Sequence, residues 1–306
     1  MRTVVVGLGL QGHKRVAAGG KDIVAAVDPV ADGAKYKRIE DVPLADFDAA
    51  MVSTPDDAKL PLIRYLLSNG KHVLVEKPLL AKDPAVFAEL DALARSRRVT
   101  CYTAYNHRFE PNIAQIKPSL DQNSIGRVYL AKFHYGNGTA RDFKNSPWRD
   151  RGTGVVSDLA SHLLDLTNFF FGNQDGRSYS ASCLNRFENN AYDHAILVSR
   201  GLPVIELEMS LICWKNTFTI DFFGELGSIH AFGLCKWGPT TLTIRKRVFP
   251  SGKPVEDVER FEGPDPTWVK EFEHFKALCQ TGVTSLDNDR RIDSILHRIP
   301  EREESA

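Results

Sequence analysis

A short apolar run, Val4-Val5-Val6, stops at Gly7 and opens at once into Gly7-Leu8-Gly9-Leu10-Gln11-Gly12. Few sequence features restrict a fold as tightly as a buried strand feeding a G-x-G-x-x-G turn that starts a helix. Gly7 permits the tight turn, Gly9 lets the backbone approach a pyrophosphate, and Gly12 lets helix and strand pack closely. The first helical turn, with Leu10 and Gln11, offers oriented N–H groups to phosphate oxygens. Glycines gather in any tight turn, but here Asp28 also ends the next apolar run, 23–27, at the spacing where a carboxylate accepts both ribose hydroxyls. The same carboxylate repels a 2′-phosphate, which favours NAD over NADP. Lys35, Lys37 and Arg38 lie downstream and soften that exclusion.

The rest of the first third alternates in the same manner. Helical segments over 10–18, 59–67 and 84–95 interleave with apolar runs over 48–53, 72–75 and 99–104. Strands interleaved with helices of this length predict a parallel sheet wound on both faces, with ligands beyond the carboxyl ends of the strands. After one more helix over 111–120 the pattern changes to period two. Ile205, Leu207, Met209 and Leu211 face one way and Glu206, Glu208 and Ser210 the other, and Phe218, Ile220 and Phe222 alternate with Thr219 and Asp221. Runs over 128–135, 179–187, 194–199 and 240–248 also read as strands, and 268–278 as an amphipathic helix. One-sided burial over successive strands predicts an open, mostly antiparallel sheet needing cover from helices or a second subunit. The expected fold class is therefore α/β: an N-terminal Rossmann domain, 1–118, and a C-terminal α+β domain, 119–306. The charged tail 300–306 reads as frayed.

Composition narrows the function classes. The 306 residues exceed the usual single domain of about 100–200, and 42% hydrophobic content suffices for two cores. Lys plus Arg and Asp plus Glu both number 39, and this zero net charge lacks the basic excess of a nucleic-acid binder. No apolar run reaches the roughly 18–20 residues that span a bilayer. Cys101, Cys183, Cys213, Cys235 and Cys279 are scattered and odd in number, with no CxxC pair. That argues against a disulfide framework or a zinc site and for a reducing compartment. With no leader-like stretch before the first strand, the expectation is a cytoplasmic protein.

Two further constellations carry chemistry. Glu76-Lys77-Pro78 ends the fourth strand, where Lys77 can hydrogen-bond a substrate hydroxyl and stabilise the alkoxide formed as hydride leaves. A solvated turn lysine fits the same spacing. Downstream of Gly152-Thr153-Gly154, Asp158, His162 and Asp165 fall at i, i+4 and i+7, within roughly 40° on a wheel of 100° per residue. This polar stripe on an otherwise apolar helix suits a helix lining a cavity, with His162 giving and taking a proton and a carboxylate raising its basicity. A capping Asp beside a core His also fits. A metal site would need a third ligand to which the sequence does not point, so no metal is expected. The segment 135–151 is rich in planar donors: Trp148 can stack on a sugar ring, and Arg141, Lys144, Arg149 and Arg151 can meet a carboxylate or diphosphate. Pairing of those bases with Asp142 and Asp150 in a solvated loop is the alternative.

Taken in order, the glycine fingerprint, Glu76-Lys77-Pro78 and Asp158-x-x-x-His162-x-x-Asp165 resemble the Gfo/Idh/MocA family, the glucose–fructose oxidoreductase and inositol dehydrogenase group. Tyr105-Asn106-His107-Arg108-Phe109-Glu110-Pro111 is similar to that family's Y-x-x-R-F-x-P segment, and Trp148-Arg149 with the following glycines resembles its approach to the catalytic helix. The resemblance runs from Thr3 to about Leu278. It implies NAD-dependent hydride transfer to or from a carbinol carbon of a sugar-type substrate, and a catalytic trio of Lys77, Asp158 and His162. Thr54, Pro55 and Glu76 would join the cofactor side, with Lys77–Pro78 a candidate cis bond. Tyr105, Arg141, Trp148 and Arg149 would join the trio around the substrate, while Arg108 would link the domains. The resemblance also implies a homodimer or homotetramer formed through the C-terminal sheet. The Y-G-N-G-T-A-R stretch looks like members of surface-polysaccharide metabolism, which points to a nucleotide sugar or a sugar acid. A redox-neutral glycoside lyase and a nucleotide-binding sensor are the rival functions. The chain departs from the family pattern at Lys59, where many members carry His, and at Ala160, where Gly is usual.

Overall fold

The computed structural model describes residues 1–146, 149–172, 174 and 176–301. The chain forms two compact units: residues 1–106 with 267–294, and residues 107–266 with the remainder of the C-terminus. A single cut at 118 was the expectation. Residues 267–294 instead return to the first unit, because the apolar stripe of the helix they open with completes that unit's core.

The first unit opens with β1 (Thr3–Val6), α1 (Leu10–Gly19), β2 (Ile23–Val27), β3 (Ala49–Val52), α2 (Asp56–Ser68), β4 (His72–Glu76), α3 (Ala85–Arg97) and β5 (Cys101–Ala104). The strands form one parallel sheet in the order β2-β1-β3-β4-β5. Every residue of β1, β3 and β5 is buried, as a sheet covered on both faces requires. One face packs Val4, Ala50, Val52, Ile63, Leu66, Phe87 and Leu90.

In the second unit come α4 (Pro111–Asp121), β6 (Val128–Gly136), the short α5 (Ala140–Lys144), a π-helical turn (Val156–Ala160) and α6 (Ser161–Phe171). Then follow β7 (Ser180–Asn185), β8 (His194–Ser199), β9 (Val204–Ser210), β10 (Thr217–Gly224), β11 (Gly227–Phe232), β12 (Thr240–Lys246) and β13 (Val255–Phe261). They form an eight-stranded sheet in the order β13-β12-β11-β10-β6-β9-β8-β7. All its pairings are antiparallel except β6 with β9. One face is apolar: Phe133, Leu207, Met209, Phe218, Ile220 and Phe222 are buried there. Helix α6 covers it, with Phe170 5.1 Å from Phe222 and 6.2 Å from Phe133, ring to ring. The opposite face carries polar pairs, including His134 with Glu208 at 3.1 Å and His230 with Asp221 at 2.6 Å.

The chain ends with α7 (Thr267–Thr281) and α8 (Asp287–Glu301). Phe272 and Phe275 of α7 are buried with Val5, Ala49, Met51 and Leu74, on the second face of the parallel sheet. Residues 302–306 of the tail read as frayed lie outside the described residues. Among the described residues no helix is long and apolar enough to cross a membrane.

Candidate functional site

In the first unit the expected cofactor residues converge at the carboxyl ends of the parallel strands. A Cβ on Gly12 would stand 1.9 Å from the Gly7 carbonyl oxygen, and one on Gly7, whose φ is +91°, would stand 2.5 Å from Ser53 O. Helix, turn and third strand therefore interlock at a spacing only glycine allows. Gly9 differs: a Cβ there would meet nothing within 4 Å. It precedes a helix start with no side-chain cap and no acidic residue in the first turn, flanked by exposed Leu10 and Gln11. Oriented N–H groups beside open space suit a pyrophosphate.

Two buried hydroxyls strengthen that fit. Ser53 Oγ and Thr54 Oγ1 follow β3 and have no hydrogen-bond partner among the described residues, a cost that a ligand's polar groups would relieve. Pro55 stands next, directly before α2. Asp28 lies at the end of β2, but its carboxylate already accepts three backbone N–H groups: Leu8 at 2.8 Å, Val30 at 2.9 Å and Ala31 at 2.8 Å. The Ala31 and Leu8 N–H groups outweigh partial burial and hold the Asp28 carboxyl below its usual range. Asp28 thus braces the glycine loop as well as presenting a negative charge, and its remaining lone pairs, fewer than expected, are what a ribose can use.

Glu76 and Lys77 end β4, and the Lys77–Pro78 bond is cis. Glu76 is tied down inside the protein. Arg15 of α1 donates from Nε to Glu76 Oε1 and from a terminal nitrogen to Glu271 Oε2 of α7, both at 2.6 Å, with Trp268 4.4 Å beneath its guanidinium. Burial opposes the Arg15 charge, yet the two carboxylates outweigh it and keep it firmly protonated. Lys59, buried to 3% exposure, donates to the Pro78 carbonyl at 2.8 Å and pairs with Asp56 at 2.7 Å. Its ammonium, held below the usual lysine range mainly by burial, clamps the backbone just past Lys77. Tyr105 does not join the proposed substrate group. It is 3% exposed, and its hydroxyl points 3.3 Å from Asp289 of α8, an internal contact in place of the expected substrate one.

In the second unit the stripe of Asp158, His162 and Asp165 is not the even helical face expected. Asp158 sits inside the π-helical turn, which ends just before His162, and its extra residue per turn breaks the 100° count. Asp165, 1% exposed, forms a bidentate pair with Arg108, whose Nε donates at 2.7 Å. This pair anchors Arg108 to the α6 helix of its own unit. Asp158 is half-buried, 3.9 Å from Arg149. His162 is 8% exposed, its ring stacked on that of His107 at 4.0 Å and 6.0 Å from that of Tyr135. Arg149 also lies 4.5 Å over the Phe143 ring, while Arg141 on α5 is exposed. Asp150 does not pair with the loop bases: it accepts the Asn190 and Ala191 N–H groups at 2.7 and 2.9 Å. Trp148 lies outside the described residues. Arg15, Glu271 and His107 were missed as site components. The first two are separated by 256 positions, and only His107 had a signal, beside Arg108.

Two family models match the chain: an oxidoreductase family with an NAD-binding Rossmann fold over residues 1–105, and the GFO/IDH/MocA C-terminal domain over 113–230. An uncharacterized oxidoreductase, YdgJ, of Escherichia coli is 31% identical over 62% of this chain, a match spanning 55% of that relative. The mouse trans-1,2-dihydrobenzene-1,2-diol dehydrogenase is 25% identical over 90% of this chain and 80% of its own length. Among solved structures, the UDP-N-acetylglucosamine 3-dehydrogenase of Acidithiobacillus ferrooxidans superposes with a TM-score of 0.77 at 19% identity, covering 98% of this chain and 96% of that one.

Proposed function

The chain belongs to the Gfo/Idh/MocA oxidoreductases and is an NAD-binding oxidoreductase, and from that premise we propose that it transfers hydride between NAD and a carbinol carbon of a sugar. The substrate class we infer is a nucleotide sugar or sugar acid of surface-polysaccharide metabolism. A UDP-sugar dehydrogenase among the solved structures of this fold is consistent with it.

The observation that carries the reading is His162: a buried histidine on a mostly apolar helix, its ring stacked face to face on that of His107, just past the π-helical turn that contains Asp158. Bound NAD supplies the hydride acceptor, and the Gly9 loop with Thr54, Pro55 and Asp28 is what would hold it. His162 takes the substrate hydroxyl proton as the carbonyl forms and returns it in the reverse direction. Lys77 donates to the same oxygen and stabilises developing alkoxide charge. Asp158 keeps the imidazole basic and sets its orientation. Arg149 and Arg141 are proposed substrate contacts. Tyr105 is not carried forward, since its hydroxyl is spent internally.

NAD-loaded protein mixed with a panel of sugars, polyols, sugar acids and nucleotide sugars tests this by nicotinamide absorbance. Accumulating NADH with one member supports net oxidation. A cleaved glycoside without NADH would replace it with the redox-neutral lyase, and neither outcome with tight NAD binding would leave a sensor. Asp28→Asn removes the charge and keeps one acceptor oxygen, which can serve the Val30 and Ala31 N–H groups on Oδ1 but not the Leu8 N–H on Oδ2 as well. It should narrow the preference for NAD over NADP by about tenfold or more in titrations of both cofactors. We further propose that two copies pair through the open face of the eight-stranded sheet, which light scattering would show as a dimer or tetramer mass.

A further inference from the structure

Beside His162 the second unit carries a cation outside every motif above. Lys236 lies in the single helical turn Cys235–Trp237 that links β11 to β12. Its Nζ donates to the Tyr135 hydroxyl at 3.1 Å and sits 4.9 Å over the Trp237 ring. The Tyr135 ring is in turn 5.8 Å from Trp237, 5.5 Å from His107 and 6.0 Å from His162. One aromatic side chain therefore separates this ammonium from the proposed proton-transfer group.

Lys236 is surrounded by acids but paired with none of them. Glu110, Asp265 and Asp158 all act on it electrostatically and favour its charged form against the burial that lowers its pKa. Among the described residues no carboxylate stands within ion-pair distance of it. The acids are committed elsewhere: Glu110 accepts the Cys235 N–H at 2.8 Å, Asp265 the Cys235 thiol at 3.4 Å, and Asp158 faces Arg149 at 3.9 Å. An ammonium has three N–H donors, and one of them goes to Tyr135. The residue as a whole is solvent-exposed although the surrounding side chains partly desolvate its ammonium, so a ligand can reach the other two. A cation backed by an aromatic pair suits an anionic oxygen on a ring that stacks against Tyr135 or Trp237.

We propose that Lys236, with the Tyr135 hydroxyl, selects substrates carrying an anionic group, either a carboxylate on the sugar or the phosphate of a nucleotide-linked one, next to the carbinol that His162 serves. This rests on His162 being the acid/base of a sugar oxidoreductase. The test compares wild type, Lys236→Met, Lys236→Arg and Tyr135→Phe on a uronic acid, its neutral hexose and a UDP-sugar. Lys236→Met should lose about 10–100-fold more kcat/KM on one anionic substrate than on the neutral hexose, chiefly through KM, and Lys236→Arg should recover most of it. Whichever of the two anions shows the loss identifies its source. Equal losses on charged and neutral substrates, or wild type with no preference for an anion, would overturn the proposal while leaving sugar oxidation standing. If wild type oxidises nothing, the sugar-oxidation reading fails instead, and calorimetry still decides the anion site. Uronate or UDP binding NAD-loaded wild type tenfold more tightly than Lys236→Met supports it, and equal affinity overturns it.

Discussion

His162→Ala should lose about 10²–10⁴-fold in kcat while binding NAD as wild type does, because general acid–base catalysis typically contributes on that scale and the glycine loop lies in the other unit. The imidazole is 8% exposed and stacked on His107, so its removal also opens a hole. His162→Gln separates the two effects: it fills most of the space, offers no group that titrates near neutrality, and should be nearly as inactive. The pH profile adds an independent readout. A wild-type acid limb set by His162 should vanish in both variants, leaving a flat residual rate. Turnover of His162→Gln within threefold of wild type would remove His162 from the proton-transfer role.

Arg15→Met should produce the largest loss of stability of any single substitution near the glycine loop, about 3–5 kcal/mol. Arg15 is 1% exposed and Glu271 fully buried, with Glu76 at 13% on the other side. Without the guanidinium, two carboxylates in a low-dielectric interior lose the cation that bridges them. Neutralising them by proton uptake would carry the penalty into the folding equilibrium. Thermal unfolding should shift down by roughly 10 °C for the first unit. Arg15→Lys should recover little, since a point ammonium cannot bridge two carboxylates as a planar fork does. Combining Arg15→Met with Glu271→Leu should regain part of the loss by removing one of the two buried charges. Because Glu76 directly precedes Lys77, kcat should fall along with stability. An Arg15→Met protein within about 0.5 kcal/mol of wild type would show that the triad does not hold this part of the fold.

The first unit was legible because its information is local. An apolar strand, a glycine turn and a helix with period 3.6 each occupy ten or so contiguous residues, and β1 to β5 emerge near their expected places. Strands β8 to β10 were equally plain, since one covered face imposes strict alternation. β13 gave no such signal, being exposed along nearly its whole length at the sheet edge. β11 is short and starts at a glycine, and α8 had no helical reading, with its last two residues, 300–301, read as part of a frayed tail. Its place depends on distant contacts such as the Leu286 N–H on Asp91 and the Ala81 N–H on Asp293.

The site followed the same division. Gly7, Gly9, Gly12, Asp28 and the Lys77 turn could be placed from spacing alone. The stripe on the second unit's helix could not, because a π-helical turn is invisible to a wheel that assumes one constant angle. Nor could Arg15 be tied to Glu271, or Lys236 to Tyr135, since pairs separated by 256 and 101 positions leave no periodic trace.

Hydride transfer itself is tested most directly by isotope. With the panel's best sugar deuterated at the reacting carbinol carbon, wild type should place one deuterium on the nicotinamide ring and show a primary isotope effect on NADH formation. His162→Gln should slow that step without changing where the label goes. Deuterium released to solvent, or nicotinamide that stays unlabelled while substrate is consumed, would contradict direct transfer between the sugar carbon and NAD.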